Sequence, residues 1–179
     1  MENNTQIKKI KTAANIGLIG SLIIVVIVIL FKYLSNYAFY QNGQVFQTLT
    51  LTASVLVVID LVVVMSGIRK KTPQLRQGET LEEKLEGYAA LVKSSNTLTT
   101  VTVVLVSGII ILTGNYNLLM LAMLLVLILF FTYPNMYKIK VDLGLNDDEM
   151  KLLFGDQYIP TPEEPETEIQ DPLEKKDED

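Results

Sequence analysis

The sequence contains no cysteine and no histidine among its 179 residues. Disulfide bonds, thiolate nucleophiles and imidazole bases are therefore excluded, together with most of the ligand sets that bind zinc. A glycine-rich phosphate-binding loop, an H-E-x-x-H motif and a nucleophile beside a visible base are missing as well. Because no catalytic constellation remains, we expect a protein that is not an enzyme and that uses no cofactor and no metal.

Charged residues are scarce in four long apolar stretches, which run from Ile16 to Leu34, Thr48 to Ile68, Ser95 to Thr113 and Tyr116 to Tyr133. A helix must contain roughly 20 residues to cross the ~30 Å hydrocarbon core of a bilayer. Each stretch is close to that length and is apolar around most of its circumference. We predict an all-α, polytopic integral membrane protein with four transmembrane helices in two antiparallel hairpins, rather than an unusually apolar soluble bundle.

Lysine and arginine are missing from two connections between these stretches, Ser35 to Gln47 and Gly114 to Asn115. Basic residues instead precede the first stretch, lie between the second and the third, and follow the fourth. An excess of Lys and Arg is typical of cytoplasmic loops. We therefore predict a multi-pass protein of a cytoplasmic (inner) membrane, with both termini and the middle segment in the cytosol.

The predicted topology divides the chain into six segments. Two of them are transmembrane hairpins, residues 16–68 and 95–133. Three others are a cytosolic N-terminus at residues 1–15, a cytosolic loop with an amphipathic helix at 69–94, and a juxtamembrane segment with a short helix at 134–155. Pro134 disfavours helical backbone at the residue before it, so the last span should end or kink there.

The last segment, residues 156–179, is predicted to be a disordered tail. From Asp156 onward the chain has ten acidic residues and only two lysines, and four prolines interrupt this stretch. Such a segment cannot bury enough apolar surface to fold. The rest of the chain is mildly basic, but membrane topology accounts for its basic residues, so we expect no nucleic-acid partner.

A capping-box pair, Thr80 and Glu83, predicts the start of the amphipathic helix in the middle segment. Thr72-Pro73 marks a loop before it, and apolar residues at helical spacing continue to Val92. This pattern is compatible with a helix on the inner membrane surface, with an extension of the third span, or with a helix that docks on a partner. The sequence leaves the three alternatives open.

A second capping-box pair, Asn146 and Glu149, predicts a short helix that stops at Gly155. A helix of about two turns is not stable in isolation. Its apolar residues must therefore rest on the membrane or on another protein surface, and the helix that begins after Thr80 is one such surface.

Asp60 lies deep inside the second stretch, surrounded by valine, leucine and isoleucine. A carboxylate near the bilayer centre carries an insertion penalty of about 2.5 to 3.5 kcal/mol, while each apolar neighbour returns roughly 0.3 to 0.6 kcal/mol. The helix should still insert, with Asp60 facing the bundle. Desolvation there disfavours the charged form of the carboxyl group.

Depth in the membrane identifies candidate partners for Asp60. The same distance from the inner ends of the neighbouring spans leads to Ser21 in the first and Thr102 in the third. Thr99 lies on the same helix face as Thr102, three residues earlier. We predict an intramembrane polar site formed by Asp60, Ser21, Thr99 and Thr102.

Small residues recur at four-residue steps where the first span begins, at Ala13, Gly17 and Ser21. A stripe of this kind allows two helix backbones to approach closely. We therefore predict that these three residues form a helix-packing face.

Two functions are compatible with these features. In the first, the chain is an accessory, scaffold or assembly component of a cytoplasmic-membrane complex, embedded in the lipid bilayer and bound to a protein partner or to a second copy. A neutral Asp60 then sets the register between helices. In the alternative, Asp60 is the relay of a small proton- or ion-coupled transporter or channel subunit. The first is favoured because Asp60 has no second acid and no embedded base beside it.

Overall fold

The computed structural model describes residues 2–35 and 43–159, and all regular secondary structure in these two ranges is helical. The predicted all-α class is therefore confirmed for the part of the chain that is described. Three long helices are followed by three shorter ones and by a 3₁₀ turn. The helices are α1 (Glu2–Ser35), α2 (Gln44–Arg76), α3 (Leu81–Thr113), α4 (Asn117–Phe131), α5 (Met136–Leu143) and α6 (Asp147–Phe154), and the turn is Gly155–Gln157.

Three of these helices, α1, α2 and α3, are each long and apolar enough to cross a membrane. With 15 residues, α4 rises only about 22 Å, less than a bilayer core. It reaches the length of a span only together with α5, and the two are bent by 76° at the break between them. Within the described residues there are thus three candidate spans, or four if the bent pair is one span.

Large apolar side chains cover the outward faces of the long helices. More than half of the side-chain surface is exposed at Ile27 (56%), Val58 (58%) and Phe130 (62%), which belong to three different helices. Soluble monomers rarely expose apolar patches of more than a few hundred Å². Together with the length of the helices, this apolar belt indicates a membrane-embedded protein.

The end of α4 agrees with the prediction made from Pro134, although α4 is shorter than the predicted stretch from Tyr116 to Tyr133. The helix ends at Phe131, and a new helix begins only after Asn135, whose side chain accepts a hydrogen bond from Lys138 N at 2.7 Å. Proline imposes extended backbone on the residue before it, so the two helices cannot join smoothly.

The loop predicted around Thr72-Pro73 is wrong, because α2 continues through Pro73 to Arg76. Proline removes one backbone donor, and near a helix end this loss is outweighed by contacts of the last turn. The Arg76 guanidinium donates to two backbone carbonyls of α5 at 2.8 and 3.2 Å. The connection to α3 is therefore only residues 77–80, and most of the predicted 69–94 segment is helical.

The helix α3 is the central element, since it contacts α1, α2, α4 and α5. Residues further along α1 contact residues further along α3. Asn96 Nδ2 donates to the backbone carbonyl of Ala13 at 3.4 Å, and four residues further along α3 Thr100 meets Ser21. The two helices therefore run in the same direction.

The other two long-range pairings run in opposite directions. The start of α2 meets the end of α3, where Asn115 Nδ2 donates to Thr50 Oγ1 at 3.2 Å. The start of α4 lies near the end of α1, where the Lys32 ammonium group is 5.6 Å from the centre of the Tyr116 ring. At the other end, Tyr133 Oη donates to Asn15 Oδ1 at 2.9 Å.

Two clusters of buried apolar residues lie along this bundle. The span cluster joins α1, α2, α3 and α4 and is rich in valine and alanine. Its members are Val25, Val28, Ala53, Val57, Val103, Val106, Ile110, Leu118, Ala122 and Leu125. The cap cluster joins the start of α1 and of α3 to α5 and α6. Its members are Ile7, Ile10, Ala14, Leu85, Tyr88, Val92, Ile139, Leu143, Leu145, Met150 and Leu153.

Both predicted helix starts in the cap are confirmed. Thr80 Oγ1 accepts from Glu83 N at 3.2 Å, and α3 then runs without interruption into the apolar region. Of the three alternatives left open for this helix, the structure has an extension of the third span whose apolar face packs against other helices of the same chain.

The short helix α6 has a complete capping box, since Asn146 and Glu149 each accept from the other's backbone N–H at 2.8 and 2.9 Å. Gly155 follows with a φ of +56°, as the predicted stop requires. Met150 and Leu153 are buried in the cap cluster. The helix therefore rests on a protein surface that α1, α3 and α5 form together, of which the helix that begins after Thr80 is one part.

Near the start of the predicted tail, residues 156–179, Tyr158 packs against the cap, whereas Ile159 is 84% exposed. Tyr158 Oη donates to Asp147 Oδ1 at 2.6 Å and accepts from Lys140 Nζ at 2.8 Å. These two hydrogen bonds hold the aromatic ring of Tyr158 against the cap. The remainder of that prediction, residues 160–179, lies outside the described residues, as do residues 36–42 of the predicted outer loop.

Candidate intramembrane polar site

Asp60 lies on the face of α2 that packs against α3. Its side chain is 2% exposed, whereas its sequence neighbours Ile59 and Val62 are more than half exposed. Val57 and Val64, about one turn away on either side, are also buried. The buried face of α2 is therefore apolar around the carboxyl group, and Asp60 points toward α3.

Two threonines of α3 meet this carboxyl group, one at each oxygen. Thr99 Oγ1 donates to Asp60 Oδ2 at 3.0 Å, and Thr102 Oγ1 lies 3.2 Å from Asp60 Oδ1. The two threonines are three residues apart on a helix, so they share one face. Both are buried, and the contacts connect two separate helices.

The number of hydrogens available at Thr102 fits a neutral carboxylic acid. Thr102 Oγ1 is also 3.1 Å from the backbone oxygen of Leu98, and a hydroxyl group has a single hydrogen to donate. If that hydrogen is donated to the Leu98 carbonyl, which can only accept, the contact with Asp60 requires a hydrogen from the carboxyl group. A hydrogen on Asp60 Oδ1 then completes the contact with Thr102, while Thr99 donates to Oδ2. Each polar atom of the site is satisfied in this arrangement.

Ser21, the fourth residue of the predicted site, has a different partner. Its hydroxyl group donates to Thr100 Oγ1 at 3.3 Å, and its side chain is fully buried between α1 and α3. Successive helical residues are separated by about 100° around the axis, so Thr99 and Thr100 face different neighbours. The structure therefore brings together Asp60, Thr99 and Thr102 and gives Ser21 a separate contact with α3.

The predicted small-residue stripe lies against the same helix. A side-chain carbon added to Gly17 would be only 3.0 Å from Asn96 Cβ, and Asn96 also bonds the Ala13 carbonyl. Asn96 and Thr100 were not among the predicted site residues. Their signal in the sequence is their four-residue spacing, which places them on one face of α3 opposite Ala13, Gly17 and Ser21.

A second polar group, also missed by the sequence analysis, lies where the cap meets the apolar part of the bundle. Tyr88 Oη donates to Asp142 Oδ2 at 3.0 Å, and Lys138 Nζ is 3.3 Å from the same oxygen. A cavity of about 20 Å³ beside them is lined in part by Asn96. This volume is enough for about one water molecule. Asp142 could not be linked to Tyr88 from the sequence because 54 residues separate them.

Asp60, Thr99 and Thr102 form a buried polar link between α2 and α3, the cross-brace. Both carboxyl oxygens are occupied by hydroxyl groups, and Asp60 is not among the residues that line the water-sized cavity. Within the described residues, no group of three or more acidic side chains is placed to hold a metal ion. What this site can do chemically is to join α2 to α3 and to exchange a proton if water reaches it.

Comparison with known proteins finds no match to a protein-family model, to a curated protein or to a solved structure. The geometry of the polar site and of the cap therefore has to support any functional proposal on its own.

Proposed function

We propose that this protein is a membrane scaffold, an accessory or assembly component of a cytoplasmic-membrane complex. In this proposal residues 116–133, which include α4, cross the membrane as the fourth span, α5 lies along the inner surface, and the two hairpins leave both termini in the cytosol. The cap cluster then forms a folded docking unit on the cytosolic side. The 76° bend between α4 and α5 and the basic residues near the cap support this arrangement.

The observation that carries the proposal is a packed cap that presents large side chains outward. Met150 and Leu153 fix α6 on the cap cluster, while Leu152 between them is 75% exposed. On α5, Tyr137 is exposed to a similar extent, 73%. A helix with a full capping box and a buried face is already stable on its support, so these outward residues are available to a partner.

The bonding of Asp60 supports a structural role within this proposal. Interhelical hydrogen bonds in membranes contribute about 0.6 kcal/mol each on average and up to about 1.7 kcal/mol. Two such bonds to Asp60 favour one register of α2 on α3. A fixed register in turn keeps the start of α3, which carries much of the cap, in a defined position.

The alternative function, a proton- or ion-coupled transporter or channel subunit, also has an observation in its favour. The water-sized cavity beside Tyr88 and Asp142 is lined by Asn96, and Asn96 is one turn from Thr99 on α3. A small movement of the side chains between Asn96 and Thr99 would connect the polar cavity to Asp60. Substituting Asp60 by Asn separates the two functions, because Asn reproduces the bonds of a neutral acid but cannot release a proton.

The experiment combines site-specific photo-crosslinking in native membranes with flux measurements in proteoliposomes. A photo-crosslinker at position 152 should capture a discrete protein partner. An excess of unlabelled protein should compete for that partner, and Leu152→Glu in this unlabelled protein should abolish the competition. A crosslinker at Val62, which is equally apolar but outside the cap, is the control. The scaffold proposal fails if positions 152 and 62 give the same products. It also fails if the wild type carries a proton flux that Asp60→Asn abolishes while crosslinking at position 152 persists.

A further inference from the structure

A group of lysines lies on the cap where the start of α1 meets α6. The Lys11 ammonium group is 5.4 Å from the centre of the Phe154 ring, so this contact joins the two helices. Lys8 precedes Lys11 by three residues, and Lys151 precedes Phe154 by three, so on each helix the two side chains share one face. Lys8 and Lys151 are both exposed. These three lysines, Lys8, Lys11 and Lys151, form the basic patch.

The described part of the cap supplies little negative charge to this patch. Lys8 forms no ion pair within the residues that the structure describes. On α6, Asp147 and Glu149 are paired with lysines of α5 and α3, at 2.6 and 3.8 Å. Like charges on neighbouring positions of a helix repel one another. The basic patch is therefore a surface on which further carboxylates are favourable.

Depth along the helices separates this patch from the lipid headgroups. Lys8 precedes the apolar stretch that begins at Ile16 by eight residues, a rise of about 12 Å. Each headgroup layer of a bilayer is only about 5 to 8 Å thick. The basic residues 69–71 of α2, in contrast, follow Ile68 directly and so lie at headgroup depth. When α1 crosses a bilayer upright, Lys8 is therefore in water, and its occupant must come from that side.

An acidic segment of the same chain begins close to the patch. Residues 163–168 read E-E-P-E-T-E, with four glutamates and no basic residue. The last described residue, Ile159, is 84% exposed, and Tyr158 before it packs against the cap cluster, as does Phe154 beside the patch. Four residues separate Ile159 from the first glutamate and span at most about 14 Å. The segment is therefore attached to the cap within reach of the lysines.

We propose that residues 163–168 dock on the basic patch of their own chain. A single exposed ion pair contributes little, but four glutamates facing three lysines form a network, and a short tether gives an effective concentration in the millimolar range. Residues 169–179 fit less well, because two lysines accompany their five acids and the tether is longer. Docking neutralises the patch, so an acidic partner of the cap has to displace the segment. The inference goes beyond the scaffold function, which does not use these lysines.

The test is electron paramagnetic resonance of the full-length protein in phosphatidylcholine nanodiscs. Because the chain contains no cysteine, Thr167→Cys allows one spin label to be attached within the acidic segment. We expect an immobilised fraction of the label at low salt that 1 M KCl removes, since salt screens exposed ion pairs. Lys8→Gln with Lys11→Gln should lower the ratio of docked to undocked label about fivefold, the effect of two exposed ion pairs. Lys70→Gln with Lys71→Gln removes the same charge from the end of α2 and should leave the ratio unchanged.

The acidic segment is tested from its own side with amide substitutions. Replacing its four glutamates by glutamine should abolish the immobilised fraction. The matched control replaces four later acids by their amides and should retain most of it; these are Asp171, Glu174, Asp177 and Glu178. Helical circular dichroism establishes that each variant is folded, and the amide variants decide the matter if the double lysine variant is not.

Four outcomes would overturn the proposal. The first is a label that is equally mobile at low and high salt, and the second is an equal effect of the two lysine pairs. The third is loss of the immobilised fraction in nanodiscs that contain phosphatidylglycerol, which would show that headgroups occupy the patch. The fourth is an immobilised fraction that grows with protein concentration, which would place the segment on a second copy.

Discussion

The cap cluster and the span cluster share the helices α1 and α3 but are filled by different side chains. The cap contains leucine, isoleucine, methionine and a tyrosine, surrounded by helix caps and by ion pairs such as Lys84–Glu149 at 3.8 Å. The span cluster contains mainly valine and alanine, with hydroxyl and amide contacts between the helices. In the proposed arrangement the cap lies in water outside the bilayer, so hydrophobic burial stabilises it by roughly 25 cal/mol per Å².

No such gain is available in lipid, which is as apolar as the side chains that it solvates. Helix association in the span cluster must therefore come from close approach of backbones and from hydrogen bonds between helices. We therefore expect the same kind of substitution to have different effects in the two regions. Removing atoms should cost more in the cap, whereas adding atoms at a close contact should cost more in the span region.

The largest effect is expected from truncating a leucine in each cluster. Leu85 and Leu125 are both fully buried, the first in the cap and the second in the span cluster. Leu85→Ala should lower the free energy of unfolding by about 2 to 5 kcal/mol. Leu125→Ala should cost less than about half of that, since only packing is lost. Reversible denaturant unfolding in mixed micelles measures both, and equal losses would show that the two regions are stabilised in the same way.

The next effect comes from adding atoms at the α1–α3 contact. A side-chain carbon on Gly17 would lie 3.0 Å from Asn96 Cβ, whereas one on Gly20 would have no atom within 4 Å. Gly17→Leu should therefore separate the two helices and cost about 1 to 3 kcal/mol or more, as overpacking does. Gly20→Leu is the matched control and should be tolerated. The free energy of unfolding and the distance between spin labels on α1 and α3 give the result, and equal behaviour of the two variants would contradict a close contact at Gly17.

A smaller effect is expected at the cross-brace. Asp60→Ala removes both contacts with α3 and should cost about 1 to 2 kcal/mol, from two interhelical bonds and a small cavity. Asp60→Asn should change the free energy of unfolding by less than about 0.5 kcal/mol, because its amide can donate to Thr102 and its carbonyl can accept from Thr99. A large loss in Asp60→Asn would mean that the site holds an ionised carboxylate rather than a neutral acid.

These contrasts also explain which parts of the molecule were predictable from sequence. The helices, the caps at Thr80 and Asn146 and the break near Pro134 depend on residues close together in the chain, and local rules describe them well. The inward direction of Asp60 follows from the high cost of exposing a carboxyl group to lipid. Each of these features depends on local backbone geometry or on one large free-energy cost, that of exposing a carboxyl group to lipid.

The features that were missed depend on tertiary contacts. Pro73 is helical because the turn that follows it is held by contacts of Arg76 with α5, and a proline rule contains no such contact. Ser21 matched Asp60 in depth, but depth does not specify which neighbours α1 and α2 take around α3. Only the angular positions of Thr99 and Thr100 on α3, about 100° apart, separate the two contacts, and depth in the membrane does not give the rotation of α3 relative to its neighbours.

The smallest effect concerns the contact at the edge of the cap between Asp147, Lys140 and Tyr158. Hydrogen bonds from Lys140 and Tyr158 lower the pKa of Asp147, and hydrogen bonds with Asp147 and Tyr158 raise the pKa of Lys140 to about 12. A lowered carboxyl pKa in the folded state stabilises that state above the unfolded value of about 3.9, and this contribution is lost as pH falls through the lowered value. A raised lysine pKa stabilises the fold below about 10.4, and this contribution is lost as pH rises toward about 12.

Both groups are accessible to solvent, so screening keeps the effect small. Hydrogen exchange at the backbone of residues 155–158 should therefore be slowest at intermediate pH, after correction for the intrinsic exchange rate, and should accelerate below about pH 4. Asp147→Asn should remove most of that acid dependence. Asp148→Asn, at an exposed acid in the same helical turn, should leave it in place. If the two variants lose the acid dependence equally, the general negative charge of the first turn of α6, rather than the contact with Lys140 and Tyr158, keeps this segment on the cap.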